Sequence, residues 1–165
     1  MPSDVVMLML EDHHKAKLAL QTFEDRDRAR WGELFRKLAD TLVRHEVAEE
    51  VVVYPVLRDE PGGTAIADAR IAEQAEAEDL LSQMEQMDPT SDEFAEAFNT
   101  LHSAVLEHAG SEEAEVFPLL QEQEPSERLV EMGKRYTKVK SFAPDGGWQS
   151  IAELADTILE AARPA

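Results

Sequence analysis

Apolar positions recur at intervals of three and four through most of the chain, the spacing of a single stripe along a helix. Near the amino terminus Val6, Met9, Leu10, Ala16, Leu20 and Phe23 trace such a stripe and Ser3 can cap it, so a first helix is expected over about residues 4–23. After the charged link EDRDR a longer stripe runs through Trp31, Leu34, Phe35, Leu38, Leu42, His45, Glu49, Val52 and Val56. The valines 51–53 look strand-like in isolation, yet they continue this helical period. Pro55 has no amide hydrogen and crowds the preceding turn, so the helix is expected to kink or end there, before the loop DEPGG.

A third helix is expected over about residues 65–87, with Ala67, Ile71, Gln74, Leu81 and Met84 facing inward. A fourth follows over about 92–120, entered through DPTSD with Thr90 and Glu93 as a capping box. Beyond Pro125 the pattern gives a shorter helix near 127–140, a loop FAPDGGW and a last helix over about 149–162. The expected fold is all-α: an antiparallel up-down four-helix bundle over residues 1–122, with residues 123–165 as a C-terminal helical extension packed on the same domain. No motif assigns chemistry to the extension.

Composition narrows the function classes. Asp and Glu number 35 against 16 Lys and Arg, a formal charge of -19 that repels nucleic acid and anionic membrane surfaces. The apolar run VVMLML spans only residues 5–10 behind an acidic residue, so it reads as neither signal peptide nor membrane span, and a cytoplasmic location is expected. There is no cysteine, which excludes thiolate nucleophiles, iron–sulfur clusters and Cys-type zinc sites. Any metal must be held by imidazole and carboxylate.

Those ligand types recur in an internal repeat. HEVAEEVVVYPVL at 45–57 aligns with HAGSEEAEVFPLL at 108–120 at a constant offset of 63, with six identities in thirteen positions. His45 falls on His108, Glu49 on Glu112, Glu50 on Glu113 and Pro55 on Pro118, while Tyr54 meets Phe117. Two related helical hairpins carrying His-x-x-x-Glu would set two imidazoles and two carboxylates at similar depth, which is how bundle cores build metal sites. Solvated surface pairs have no need to repeat. On the first helix periodicity selects His13, on the inward stripe, over His14. On the third helix, Glu73-Gln74 occupies the place of Asp12-His13, so Gln74 stands where the repeat calls for histidine.

Taken together, DHH, HEVAEEVVVYP, EQAEAEDLL and HAGSEEAEVFP resemble the hemerythrin-like, HHE cation-binding family over about residues 4–120. The resemblance implies a four-helix bundle around a non-haem diiron centre, with His13, His45 and His108 as terminal ligands and Glu49 and Glu112 as bridges. Gln74 holds the position of a further family histidine. It can ligate through its amide oxygen, leave a coordination position open, or pass its role to Glu78 one turn on. Two irons per chain are expected, with one iron on His13, His45 and a carboxylate as the alternative. The function implied is binding or transforming a small oxidant such as dioxygen, peroxide or nitric oxide, as carrier, sensor or enzyme. The competing reading is a helical interaction or structural module with a mononuclear or zinc-loaded site. No feature names a protein partner.

Neighbouring polar residues have plainer readings. His14 and His102 are expected at the surface or behind the ligands, Glu46 is either an extra carboxylate beside His45 or, as its helix angle favours, solvated, and Glu50 and Glu113 are either solvated or support the ligands. HEVAE lacks the second imidazole of the zinc-protease motif HExxH. The Glu-x-x-His of ferritin-like diiron proteins occurs at Glu11 and His14 alone, facing outward and unrepeated.

Overall fold

The computed structural model describes residues 2–142 and 147–163, and within these every regular element is helical. Helix α1 spans Val5–Glu24. Its cap is Asp4 rather than Ser3, the Asp4 carboxylate accepting the Met7 amide hydrogen at 2.9 Å. A single 3₁₀ turn over Arg28–Arg30 leads into α2, Trp31–Ala48. The chain then passes through a π turn, Glu49–Val53, and continues as α3, Tyr54–Arg58. Pro55 therefore neither ends nor simply kinks the helix. Tyr54 bonds back five residues to the Glu49 carbonyl, and this wider turn accommodates a proline that can offer no hydrogen of its own.

Helix α4, Gly63–Met84, starts behind Gly62, whose φ of 75° only glycine adopts without strain. Helix α5, Asp92–Ser111, is capped by Ser91, whose hydroxyl accepts from Phe94 N at 3.1 Å. The expected cap Thr90 bonds to Asp88 instead. A second π turn, Glu112–Val116, precedes α6, Phe117–Gln123. The sequence repeat is thus a structural repeat: in each copy the π turn begins at the glutamate of His-x-x-x-Glu and closes just before aromatic-Pro.

Helices α1 and α2 with α4 and α5 form the expected antiparallel bundle. An aromatic cluster plugs one end, where Phe23 stacks on Phe98 with ring centres 4.3 Å apart and Trp31 donates its indole hydrogen to the Phe23 carbonyl. Helix α7, Ser126–Ser141, packs against α1 and α2, and α8, Ile151–Ala162, lies across α2 with contacts to α4. Of the expected loop FAPDGGW, residues 143–146 lie outside the described residues. Because α7 and α8 cover α2 from outside, that helix buries Ala39, Val43 and Glu46 in addition to its bundle stripe. Among the described residues no helix is long and apolar enough to cross a membrane.

Candidate metal centre

All six residues singled out by the repeat reach the middle of the bundle. His13 comes from α1, His45 from the last turn of α2, Gln74 from α4 and His108 from the last turn of α5, while Glu49 and Glu112 open the two π turns. His13, His45, Glu49 and Glu112 are buried, and each offers one donor atom within 4.8 Å of the others. His13 Nε2 lies 3.2 Å and His108 Nε2 3.4 Å from the same Glu112 Oε1, and His45 Nε2 lies 3.1 Å from Glu49 Oε1. Gln74 and His108 stand beside that group: the Gln74 amide donates to Glu49 Oε1 at 2.7 Å and lies 3.4 Å from His108 Nε2.

The opposite nitrogen of each histidine meets a carboxylate. Asp12 Oδ2 is 3.1 Å from His45 Nδ1, Glu73 Oε1 is 2.9 Å from His108 Nδ1, and Glu113 Oε2 is 3.2 Å from His13 Nδ1. A carboxylate that takes the Nδ1 hydrogen leaves the Nε2 lone pair free and aims it inward, the arrangement that prepares an imidazole for a cation. Glu113 is thus a support for His13. Asp12 and Glu73 were not read from the sequence as site residues, although the aligned dipeptides Asp12-His13 and Glu73-Gln74 carried the signal: the two acids hold the two repeat histidines.

Tyr54 is a further residue that helical periodicity missed. Its hydroxyl donates to Glu112 Oε2 at 2.9 Å and accepts from the Gln74 amide at 3.1 Å. The π turn brings position 54 back over position 49, which an unbroken α-helix would not do. Its repeat partner Phe117 stacks on His13 with ring centres 5.6 Å apart. Glu46, at the less expected of its two readings, is buried at 7% exposure beside the cavity of the bundle, and one of its oxygens has no partner. Glu78 lends its charge to Glu46 and Glu50 and makes no hydrogen bond to Gln74 or His108. His14 is exposed, and His102 packs on the Phe98 ring away from the centre.

Electrostatically the site holds more negative charge than its own residues neutralise. Burial first, then the facing Glu112, pushes the Glu49 carboxyl well above the usual range. Burial works in the same direction on Glu112, but hydrogen bonds from Glu49 and His13 and the neighbouring His108 and His45 outweigh it and hold Glu112 below that range. The two carboxyls therefore share a proton when no cation is bound. Glu46 is pushed up by burial and by Glu78. Buried Glu49 Oε2 and Gln74 Oε1 have no hydrogen-bond donor. Oxygen acceptors lacking donors, beside inward Nε2 atoms, match a divalent cation with mixed imidazole and carboxylate ligation. A cavity of about 40 Å³ adjoins the group, walled by Ala16, Leu42, Ala77, Val105 and Ala109, with Glu46 among its lining residues.

Comparison with known proteins agrees with this geometry. The family model for the hemerythrin HHE cation binding domain matches residues 4–120, the segment that carries every one of the six converging residues. The chain is 28% identical over 142 residues to an uncharacterized hemerythrin-like protein of Schizosaccharomyces pombe, covering 82% of this chain and 68% of that protein. It is 27% identical over 131 residues to a DNA nickase of a Nostoc species, covering 79% of this chain and 37% of the nickase. No solved structure matches. With the duplicated half-site, the four-helix bundle and a family match over 4–120, the chain belongs to the hemerythrin HHE cation-binding family.

Proposed function

We propose that the protein is a non-haem iron protein that binds or transforms a small oxidant such as dioxygen, peroxide or nitric oxide. The observation that carries this reading is the group of four buried donors, His13, His45, Glu49 and Glu112, within 4.8 Å of one another. These four would hold the first ion. Glu112, with His108 and Gln74, would hold a second and weaker one, because Gln74 presents an amide hydrogen to Glu49 where the first half-site has an imidazole. Iron held by these residues would supply Lewis-acid and redox chemistry toward the oxidant.

The chain's own residues set what can reach that position. The cavity of about 40 Å³ admits molecules of two or three heavy atoms, and alanine, leucine and valine side chains form much of its wall. Outer carboxylates Asp12, Glu73 and Glu113 hold the histidine rings in register. The formal charge of -19 supports a small-molecule role over one on nucleic acid or membrane, so the activity named for the Nostoc relative is not carried to this chain. A single ion, iron or zinc, in an interaction module is the second reading, favoured by the amide of Gln74 at the poorer half-site.

Metal analysis of protein purified without affinity tag or chelator tests the proposal, together with visible absorption before and after peroxide or nitric oxide. Iron approaching two per chain, with a spectrum that responds to either oxidant, is expected. His45→Ala should abolish uptake and His14→Ala should leave it intact. Failure to take up iron after anaerobic reconstitution with ferrous salt would sink the reading, and a zinc-loaded, oxidant-silent protein would favour the second.

A further inference from the structure

We propose that helix α7 is a working part of the metal centre, with Lys140 and Tyr136 as positioning residues that hold Asp12, and through it His45, in the ligating orientation. This rests on reading the site as a metal centre and extends it to residues outside the matched segment 4–120. The two half-sites are built alike up to one point. Asp12 supports His45 as Glu73 supports His108. On α4 the supporting acid is itself clamped: Arg70 reaches Glu73 through Nε at 2.7 Å and Nη2 at 3.2 Å, and its Nη1 extends to Glu115 at 2.7 Å. The residue of α1 in the place of Arg70 is Met9, fully buried in the core. The α1 position equivalent to Arg70 therefore supplies no cation to Asp12.

Helix α7 supplies it. Lys140 Nζ lies 2.6 Å from both oxygens of Asp12, and the Tyr136 hydroxyl donates to Asp12 Oδ2 at 2.6 Å while its oxygen sits 2.5 Å from His45 Nδ1. The phenol has one hydrogen and gives it to Asp12, which is acceptor-only when ionised beside an ammonium group. The hydrogen on His45 Nδ1 is then the imidazole's own, shared between Asp12 Oδ2 at 3.1 Å and the Tyr136 oxygen. His45 is left with its lone pair on Nε2, facing Glu49. Two different residues on two different helices, Arg70 within the bundle and Lys140 beyond it, thus perform the same task on equivalent acids. The close seating of α7 is built into its sequence: a Cβ at Gly133 would lie 2.7 Å from the Ser3 carbonyl, at the entry to α1.

The test uses the full chain and Co²⁺, whose visible bands report both affinity and ligand geometry. Wild type, Lys140→Met, Lys140→Arg and Tyr136→Phe are titrated, and the thermal midpoint of each is measured without metal. Outer partners of metal-bound histidines are worth about 10–100-fold in affinity, so Lys140→Met and Tyr136→Phe should each weaken binding about tenfold or more. Each should also shift the cobalt bands at saturation, and Lys140→Arg should recover most of the loss. If wild type binds cobalt and both truncating variants bind within about twofold of it with unchanged bands, the role of α7 is overturned while the metal reading stands. If wild type binds neither cobalt nor ferrous iron, the metal reading falls and the proposal with it. Should Lys140→Met unfold, Tyr136→Phe, which removes a single oxygen, decides by the same criteria.

Discussion

Replacing Glu49 by glutamine isolates the proton that stands in for a cation. In metal-free protein Glu49 is fully buried against Glu112, and burial first, then that neighbour, raises its carboxyl well above the ordinary value of 4.5. In the unfolded chain it ionises at the ordinary value. Between the two the folded state keeps a proton that the unfolded state releases, so this group's contribution is greatest below pH 4.5 and declines as pH rises. The decline is about 1.4 kcal/mol per pH unit for each carboxyl that stays protonated. Glu46 is raised in the same direction, as are the part-buried Glu50 and Glu78, so wild-type stability should decline as pH rises above 4.5. Asp12 and Glu112 are held below the carboxylate range. Their contribution is present above the ordinary values of 3.8 and 4.5 and is lost only as pH falls into the acid range, outside this window.

Glu49→Gln keeps the side-chain shape, keeps an oxygen for the Gln74 amide at 2.7 Å and offers Glu112 a permanent N–H. It removes one titrating proton, so the decline should become shallower, by up to about 1.4 kcal/mol per unit, and the variant should be the more stable protein at pH 7 without metal. Urea unfolding in excess chelator at pH 5, 6, 7 and 8 measures both slopes. A wild-type stability that is flat or rises across this range, or equal slopes in the two proteins, would refute the account of a cation-demanding carboxylate pair. The same substitution should also reduce metal uptake sharply, so the metal-free gain and the metal-bound loss come from one atom.

Three further outcomes follow from the geometry. Gln74→His should raise the ratio of iron to protein, because Glu50 is the repeat partner of Glu113, the acid that supports His13; an unchanged ratio would mean that more than the missing imidazole limits the second ion. Gly133→Ala would add about 1 kcal/mol of helix propensity on an open surface, but its Cβ would meet the Ser3 carbonyl at 2.7 Å, so a lower thermal midpoint is expected and a higher one would show that α7 can shift without cost. Tyr54→Phe should destabilise the metal-free protein by about 1–3 kcal/mol, since Glu112 Oε2 loses its donor in a buried site, and denaturant melts check it.

Much of this protein follows from one-dimensional pattern. The 3.6-residue period sets the four bundle helices and puts His13 inside and His14 outside, because facing a common core is a property that local spacing records. The offset of 63 between the two His-x-x-x-Glu segments likewise identifies four of the converging residues, since a duplicated hairpin carries its ligands to equivalent depths. Tertiary structure decided the rest, for two physical reasons. Each π turn inserts extra rotation, so the inward face passes from the expected Val56 to Leu57 and brings the Tyr54 hydroxyl onto Glu112, a change of phase that a fixed period cannot register. And Asp12 is held by Lys140 and Tyr136, more than a hundred residues away along the chain; their contact exists only because α7 docks in the groove of α1 and α2, so no spacing rule on either segment alone could pair them.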